Sequence, residues 1–256
     1  MAAGTCPRSP FFTLSAASAP TVRCSHPRYR LRFGRPKLSH DFSPEEEMHA
    51  LVLSGDHWHP TKVVRDGLEP LTAKGFSFDW IEDARDWTPE RMAEYSTVIL
   101  SKANNTSESI DDEWMTPGVE TAFLEYVSRG KSLLVLHSGS AGYKETPTLR
   151  ALMGGVFESH PKQCPVTVEP RAGHPLAAGA EPFTAVDEHY MMAFDNKAAD
   201  VFMTTRSEHG EQPGGWTRME GKGRVCMLTP GHNVEVWLES SYQTLLENAL
   251  GWCAGS

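Results

Sequence analysis

At 256 residues the chain has the length of one good-sized domain, and 39% hydrophobic with 22% charged residues is ordinary for a folded globular protein. No apolar run approaches the roughly 20 residues needed to span a bilayer, so no membrane partner is expected. The formal charge of −9 is uneven: residues 1–40 hold six Arg, one Lys and no acid, leaving −16 on residues 41–256, and an acidic body that repels phosphate makes nucleic acid an unexpected partner.

Residues 1–47 are rich in Ser, Pro, Ala and Arg and lack periodicity, so they offer no face to bury and a disordered leader is expected. Three readings of it stand: a start codon set too far upstream, an organellar targeting leader, and a functional tail. Met48 directly precedes the first good strand, which favours the first. One domain is then expected over 48–256. The five cysteines, Cys6, Cys24, Cys164, Cys226 and Cys253, form no CxxC or other metal spacing and read as reduced thiols of a cytoplasmic protein.

In chain order, an apolar strand over 49–54 is followed by a polar loop over 55–60. Thr61 is placed to cap a helix through about Lys74, with Val64, Leu68 and Leu71 on one face and Gly75 ending it. Strands follow over 77–81 and 97–101, then a helix from Pro117 to about Arg129, closed by Gly130. Residues 132–136, Ser-Leu-Leu-Val-Leu, are a continuous apolar run of the kind covered on both faces of a sheet. This alternation predicts an α/β fold with a doubly wound, mostly parallel sheet. Later segments at 165–169, 183–186, 201–205 and 224–229 are strand-like with few helices between, and extend the sheet or form an antiparallel excursion. An amphipathic helix over 242–253 closes the domain.

In an open parallel sheet, ligands bind outside the carboxyl ends of the strands. The residues that follow each strand are therefore the informative ones. They are Asp56-His57-Trp58-His59, Asn104-Asn105, His137-Ser138-Gly139-Ser140, Asp187-Glu188-His189-Tyr190 and Gly231-His232-Asn233. His137, Glu188, His232 and Asp56 are the expected acid–base groups. Of the pair flanking Trp58, one histidine is expected to be ordinary surface; His57 and Trp58, with Asn104, Asn105, His160 and Tyr190, are the expected substrate contacts. His137, Glu188 and His232 are also candidate ligands of a divalent metal such as zinc, since imidazole and carboxylate suit it, although no fixed motif such as HExxH is present. Small residues after His137 satisfy the sterics of a nucleophile elbow, but the G-x-S-x-G spacing is absent.

Five motifs in order carry a family resemblance: Leu-Val-Leu-His137-Ser-Gly, Met153-Gly-Gly-Val-Phe157 with His160-Pro161, Asp187-Glu188-His189-Tyr190, Gly221-Lys-Gly-Arg-Val225, and Gly231-His232. Together they resemble the ThuA-like (trehalose utilisation) family over about residues 48–253. The resemblance implies a flavodoxin-like sheet similar to that of class I glutamine amidotransferases. In those enzymes a cysteine stands at the elbow; here the matching position is His137, so glutaminase activity is not expected. What the resemblance implies instead is carbohydrate metabolism, by a disaccharide- or keto-sugar-active enzyme using His and Glu, with a non-catalytic sugar-binding or regulatory module as the alternative. A small-molecule sugar is the expected partner, and the oligomeric state stays open, a homo-oligomer included.

Overall fold

The computed structural model describes residues 48–195 and 199–255, so the readings of residues 1–47 lie outside the described chain. The strands are β1 (Met48–Ser54), β2 (Phe76–Ile81), β3 (Thr97–Ser101), β4 (Ser132–Leu136), β5 (Gly155–Ser159), β6 (Cys164–Pro170), β7 (Phe183–Asp187), β8 (Met191–Phe194), β9 (Asp200–Ser207), β10 (Gly210–Glu220) and β11 (Gly223–Leu228). The helices are α1 (Thr61–Thr72), α2 (Pro89–Ala93), α3 (Pro117–Ser128), α4 (Pro147–Met153), α5 (Val234–Trp237) and α6 (Ser240–Ala254). None of these helices is long and apolar enough to cross a membrane.

The central strands are apolar at successive positions because both of their faces are covered. Ala50 and Val52 of β1, Leu134 and Leu136 of β4, and Cys226 and Leu228 of β11 face one core, which α1, α5 and α6 close with Leu68, Trp237 and Leu246. Their neighbours Leu51, Leu53, Leu133, Val135, Val225 and Met227 face the other, closed by α2, α3 and α4 through Met92, Phe123 and Leu152. Each such side chain contributes about 1.5–3 kcal/mol when fully buried. Thr61, expected to cap α1, is instead its first helical residue. The cap position belongs to Pro60, whose side chain has no hydrogen-bond acceptor to offer. Glu108 supplies the missing acceptor from a distant loop, taking the Thr61 N–H at 2.7 Å.

Nine strands form one sheet in the order β2-β1-β3-β4-β11-β10-β9-β6-β7, and β5 pairs with β8 in a separate antiparallel ribbon. The first five strands of that order are parallel, whereas the next four pairings are all antiparallel. The expectation of a mostly parallel sheet therefore needs correction, because half of the pairings are antiparallel. The sequence signal missed was β10. Its glycines and Pro213 read as a loop, but they mark register shifts around Gly215 in a long strand.

Four reversals are an even number, so β7 runs in the same sense as β1, β3, β4 and β11. Its carboxyl end, Asp187, is delivered to the edge where those strands end. The chain then crosses that edge instead of leaving it: Asp187 accepts backbone N–H groups of Gly231 and His232 at 2.8 and 2.9 Å. In the strand order β10, β9 and β6 stand between the two ends joined by these bonds, so the antiparallel half must coil back over the edge.

Directly after β4 the chain turns with His137 at φ +42°, the one non-glycine residue at positive φ among those described. The turn packs against β3 so closely that a Cβ on Gly139 would lie 1.9 Å from Leu100 O. Replacing Gly139 by Ala should therefore force backbone apart and destabilise the protein by about 3 kcal/mol or more. Gly118, near the start of α3, has nothing closer than Thr116 Oγ1 at 3.8 Å, and Gly118→Ala should be neutral or stabilising by up to about 1 kcal/mol. Urea unfolding of the two variants checks the pair; equal stability would contradict the packing described.

Candidate functional site

Register decides which loop residues meet. β1 and β3 pair Ser54 with Ser101, so the residues that follow stay side by side. Ala103 N–H donates to Asp56 Oδ2 at 2.9 Å, and buried Lys102 donates through Nζ to Gly55 O. Asp56 Oδ1 accepts from the backbone N–H of Trp58 and of His59, at 2.8 and 2.9 Å. Those bonds fold the chain back over the carboxylate, an Asx-type turn. The His59 ring then donates from Nδ1 to Oδ1 at 2.9 Å. A carboxylate only accepts, so in the neutral ring Nδ1 holds the proton and Nε2 presents a lone pair.

β4 and β11 pair Leu136 with Leu228, which sets His137 beside Thr229. His137 Nδ1 donates to Thr229 O at 2.8 Å, and again Nε2 is the bare nitrogen. Tyr190 stacks on this imidazole with centroids 4.1 Å apart and planes at 26°. Asp187, by holding Gly231 and His232, places the His232 ring against Glu188.

Glu188 is the meeting point. Its Oε2 lies 3.2 Å from His232 Nδ1, 3.6 Å from His137 Nε2 and 3.9 Å from His59 Nε2. One ligand atom from each of the four residues falls within 4.8 Å of every other. The three nitrogens are buried and make no hydrogen bond in the protein. Oε1 faces outward, 3.5 Å from His160 Nε2. His160 Nδ1 donates to Pro161 O at 2.7 Å.

The two oriented imidazoles differ in basicity. Burial opposes a charge on His59, but the carboxylates of Asp56 and Glu188 outweigh it and raise this imidazole to about 9. The same pairing, with the backbone N–H donors, overcomes burial to hold Asp56 down at about 2. His137 has only a carbonyl behind it, and burial pushes its pKa down despite Glu188. Glu188 would be raised by burial, yet the surrounding imidazoles of His137, His232 and His59 lower it well below the ordinary carboxylate range. Tetrahedral zinc with bonds of about 2.0–2.1 Å sets its ligand atoms about 3.3 Å apart. The separations from Glu188 Oε2 run from 3.2 to 3.9 Å, and the whole set lies within 4.8 Å, somewhat wider than that shell, so His59, His137, Glu188 and His232 are a set that could hold a divalent cation.

A cavity of about 570 Å³ opens beside this cluster and is bordered by His59, Glu188 and His232, with His160, Tyr190, Phe157 and Trp58 around them. Asn104 and Asn105 also line it, but their side chains are engaged. Asn104 accepts from Met115 N and donates to Gly142 O, at 2.9 and 3.3 Å, and Asn105 donates to Asp111. Trp58 is 67% exposed at the cavity. His57 is not among the lining residues; it is exposed and packs edge-on against Trp58. The histidine facing the site is thus His59, and the choice of His57 is corrected. The available signal was Asp56 three residues ahead, a side chain able to turn His59 inward. Asp56, expected as an acid–base group, is fully buried behind His59 and hydrogen-bonded to its ring. Cys164, Cys226 and Cys253 are free buried thiols. Burial pushes Cys226 well up and Cys253 to about 12.

Among solved structures, the chain resembles a putative ThuA-like protein from Bacteroides uniformis (22% identity, TM-score 0.64, 86% of this chain and 95% of that one). A putative ThuA-like protein from Parabacteroides merdae is similar at 18% identity and TM-score 0.66, over 82% and 90% of the two chains. A cold-adapted β-galactosidase from Rahnella shares the fold over 80% of this chain but only 31% of its own (17% identity, TM-score 0.57). A search of curated protein sequences returned no significant match. The profile of the ThuA family, described as trehalose utilisation, matches residues 49–253, and the chain belongs to that family.

Proposed function

We propose that this protein is a carbohydrate-active enzyme acting on a disaccharide or keto-sugar at a His/Glu site that holds a divalent cation such as zinc. The observation that supports it most is the set of three buried imidazole nitrogens without hydrogen bonds around Glu188 Oε2, beside an open cavity. Two of those nitrogens have their protons held on the far side of the ring by Asp56 and Thr229. Lone pairs facing a carboxylate are stable only with a proton or a cation among them. A bound divalent ion supplies Lewis acidity toward an oxygen of sugar or water. His59, His137, Glu188 and His232 would hold it, and the cavity leaves one side of the set approachable.

The remaining residues have separable roles. His160 presents Nε2 to the cavity and is the acid–base group best placed to exchange a proton with bound substrate. Trp58 offers an exposed ring on which a sugar face can stack. Tyr190 and Phe157 fix the wall, their ring centroids 4.2 Å apart. The parallel order β2-β1-β3-β4-β11 follows the flavodoxin-like 2-1-3-4-5 pattern, and we read this half as the part similar to class I glutamine amidotransferases. The site then sits at the β1/β3 switch point, where such sheets bind ligands. Its elbow position carries His137 in place of a thiol, so glutamine should pass unhydrolysed.

Two outcomes check the metal. The purified protein should take up about one equivalent of zinc, and His59→Ala, His137→Ala or His232→Ala should each lose it, whereas His57→Ala should keep it. Asp56→Asn should weaken binding by about 10–100-fold, because it removes the group that orients His59. Elemental analysis and chelator competition measure both, and full zinc retention in His137→Ala would contradict the ligand set. Product formation from a sugar panel distinguishes the enzyme from a non-catalytic binding module, which would saturate without turnover.

A pH series gives the sign of the coupling. In the metal-free protein His59 keeps its proton up to about pH 9, whereas a ligand must be deprotonated. Zinc binding near neutral pH should therefore release a proton, and the apparent affinity should rise by up to about tenfold per pH unit until about 9. Glu188, ionised throughout by its imidazole neighbours, adds nothing to this slope. Calorimetry in buffers of different ionisation enthalpy counts the proton; a pH-independent affinity would contradict the assignment of His59.

A further inference from the structure

The wall of the cavity is unevenly charged. Next to the histidine cluster, the loop after β3 contributes Asp111 and Glu113, both exposed carboxylates. Asp111 accepts from the Asn105 amide, a neutral partner. Glu113 has no hydrogen-bond or ion-pair partner among the described residues. Among the described residues, no Lys or Arg borders the cavity. Sites that take phosphate or carboxylate groups supply guanidinium, ammonium or clustered backbone N–H donors. This wall supplies the opposite sign.

Resting on the sugar reading above, we infer that the cavity selects an uncharged sugar over a phosphorylated or carboxylated one, with Asp111 and Glu113 as the specificity-determining residues. A hydroxyl donates to a carboxylate in a charge-assisted hydrogen bond, so a neutral polyol gains where an anion is repelled. The repulsion acts within a Debye length of about 8–10 Å, a distance comparable to the reach of one sugar ring. A cation held by the histidines attracts anions at its own end only. Discrimination at the loop wall stays with the two carboxylates.

The test uses zinc-loaded protein and calorimetric or NMR titration with matched sugars. Glucose and glucuronamide are the neutral members, glucuronate and glucose 6-phosphate the anionic ones, and trehalose is paired with trehalose 6-phosphate. Neutral members should bind at least about tenfold more tightly than their anionic counterparts, and the gap should narrow as salt is raised. E113Q, and D111N with E113Q, should tighten binding of the anionic sugars several-fold and weaken that of the neutral ones, so that the ratio between them falls toward one. If the anionic sugars bind wild-type protein as tightly as the neutral ones, or the variants leave the ratio unchanged, the inference is overturned and the sugar reading stands. If no sugar of either kind binds, the sugar reading falls and the inference with it.

Discussion

The carboxylate of Asp187 joins the parallel and antiparallel parts of the sheet at the edge that carries the histidine cluster. It is buried, and it accepts the backbone N–H groups of Gly231 and His232. Neither amide belongs to a strand ladder, so both would otherwise be left to find partners in a buried loop, which costs about 1–3 kcal/mol for each group left unsatisfied. Satisfying them ties the end of β7 to the end of β11 across three intervening strands. Glu188, the next residue, is then held where His232, His137 and His59 already point. Without this clamp the antiparallel half would still be a sheet, but the carboxylate of Glu188 would have no fixed place beside the imidazoles.

Once that edge is closed, the electrostatics follow from what stands behind each imidazole. Asp56 and Thr229 both take an Nδ1 proton and so fix the same tautomer. A carboxylate makes its histidine the stronger base, and a carbonyl leaves burial in control, which is why His59 and His137 shift in opposite directions. The imidazole nitrogens are chemically alike, so the groups behind the rings are what set them apart. Asp56 in turn is set by β3 through Ala103 N, with Lys102 holding the preceding carbonyl. The rigidity of the parallel strands thereby reaches a side chain on a loop.

The parallel half was legible because its signals are local. Apolar runs at 49–54, 97–101 and 132–136, each followed by polar residues, place His137 at a sheet edge without any knowledge of neighbours. Glu188 was legible only in part. Its strand was visible, but the direction of that strand depends on the number of reversals between β11 and β7, and one of those strands, β10, carries glycine and proline that mimic a loop. Choosing between His57 and His59 failed for a different reason. Both are loop histidines beside one tryptophan, and the choice is made by the hydrogen bonds that Asp56 accepts from the amides two and three residues on. Such a turn is written in the sequence as Asp-x-x-His, a pattern too short to separate from chance until the carboxylate is seen to be buried.

His137 itself shows how a strained backbone is kept. A non-glycine residue at positive φ costs on the order of 1–3 kcal/mol and persists only where its surroundings over-determine it. Here the Thr229 carbonyl holds one ring nitrogen, Tyr190 covers a ring face, and Gly139 lets the turn sit directly on Leu100. Any one of these alone would hold a side chain; the three together fix the orientation of a ring whose remaining nitrogen has no partner. Among the described residues, nothing hydrogen-bonds to the remaining nitrogen, His137 Nε2. Strain is thus retained in a turn that aims an unsatisfied lone pair at the carboxylate of Glu188.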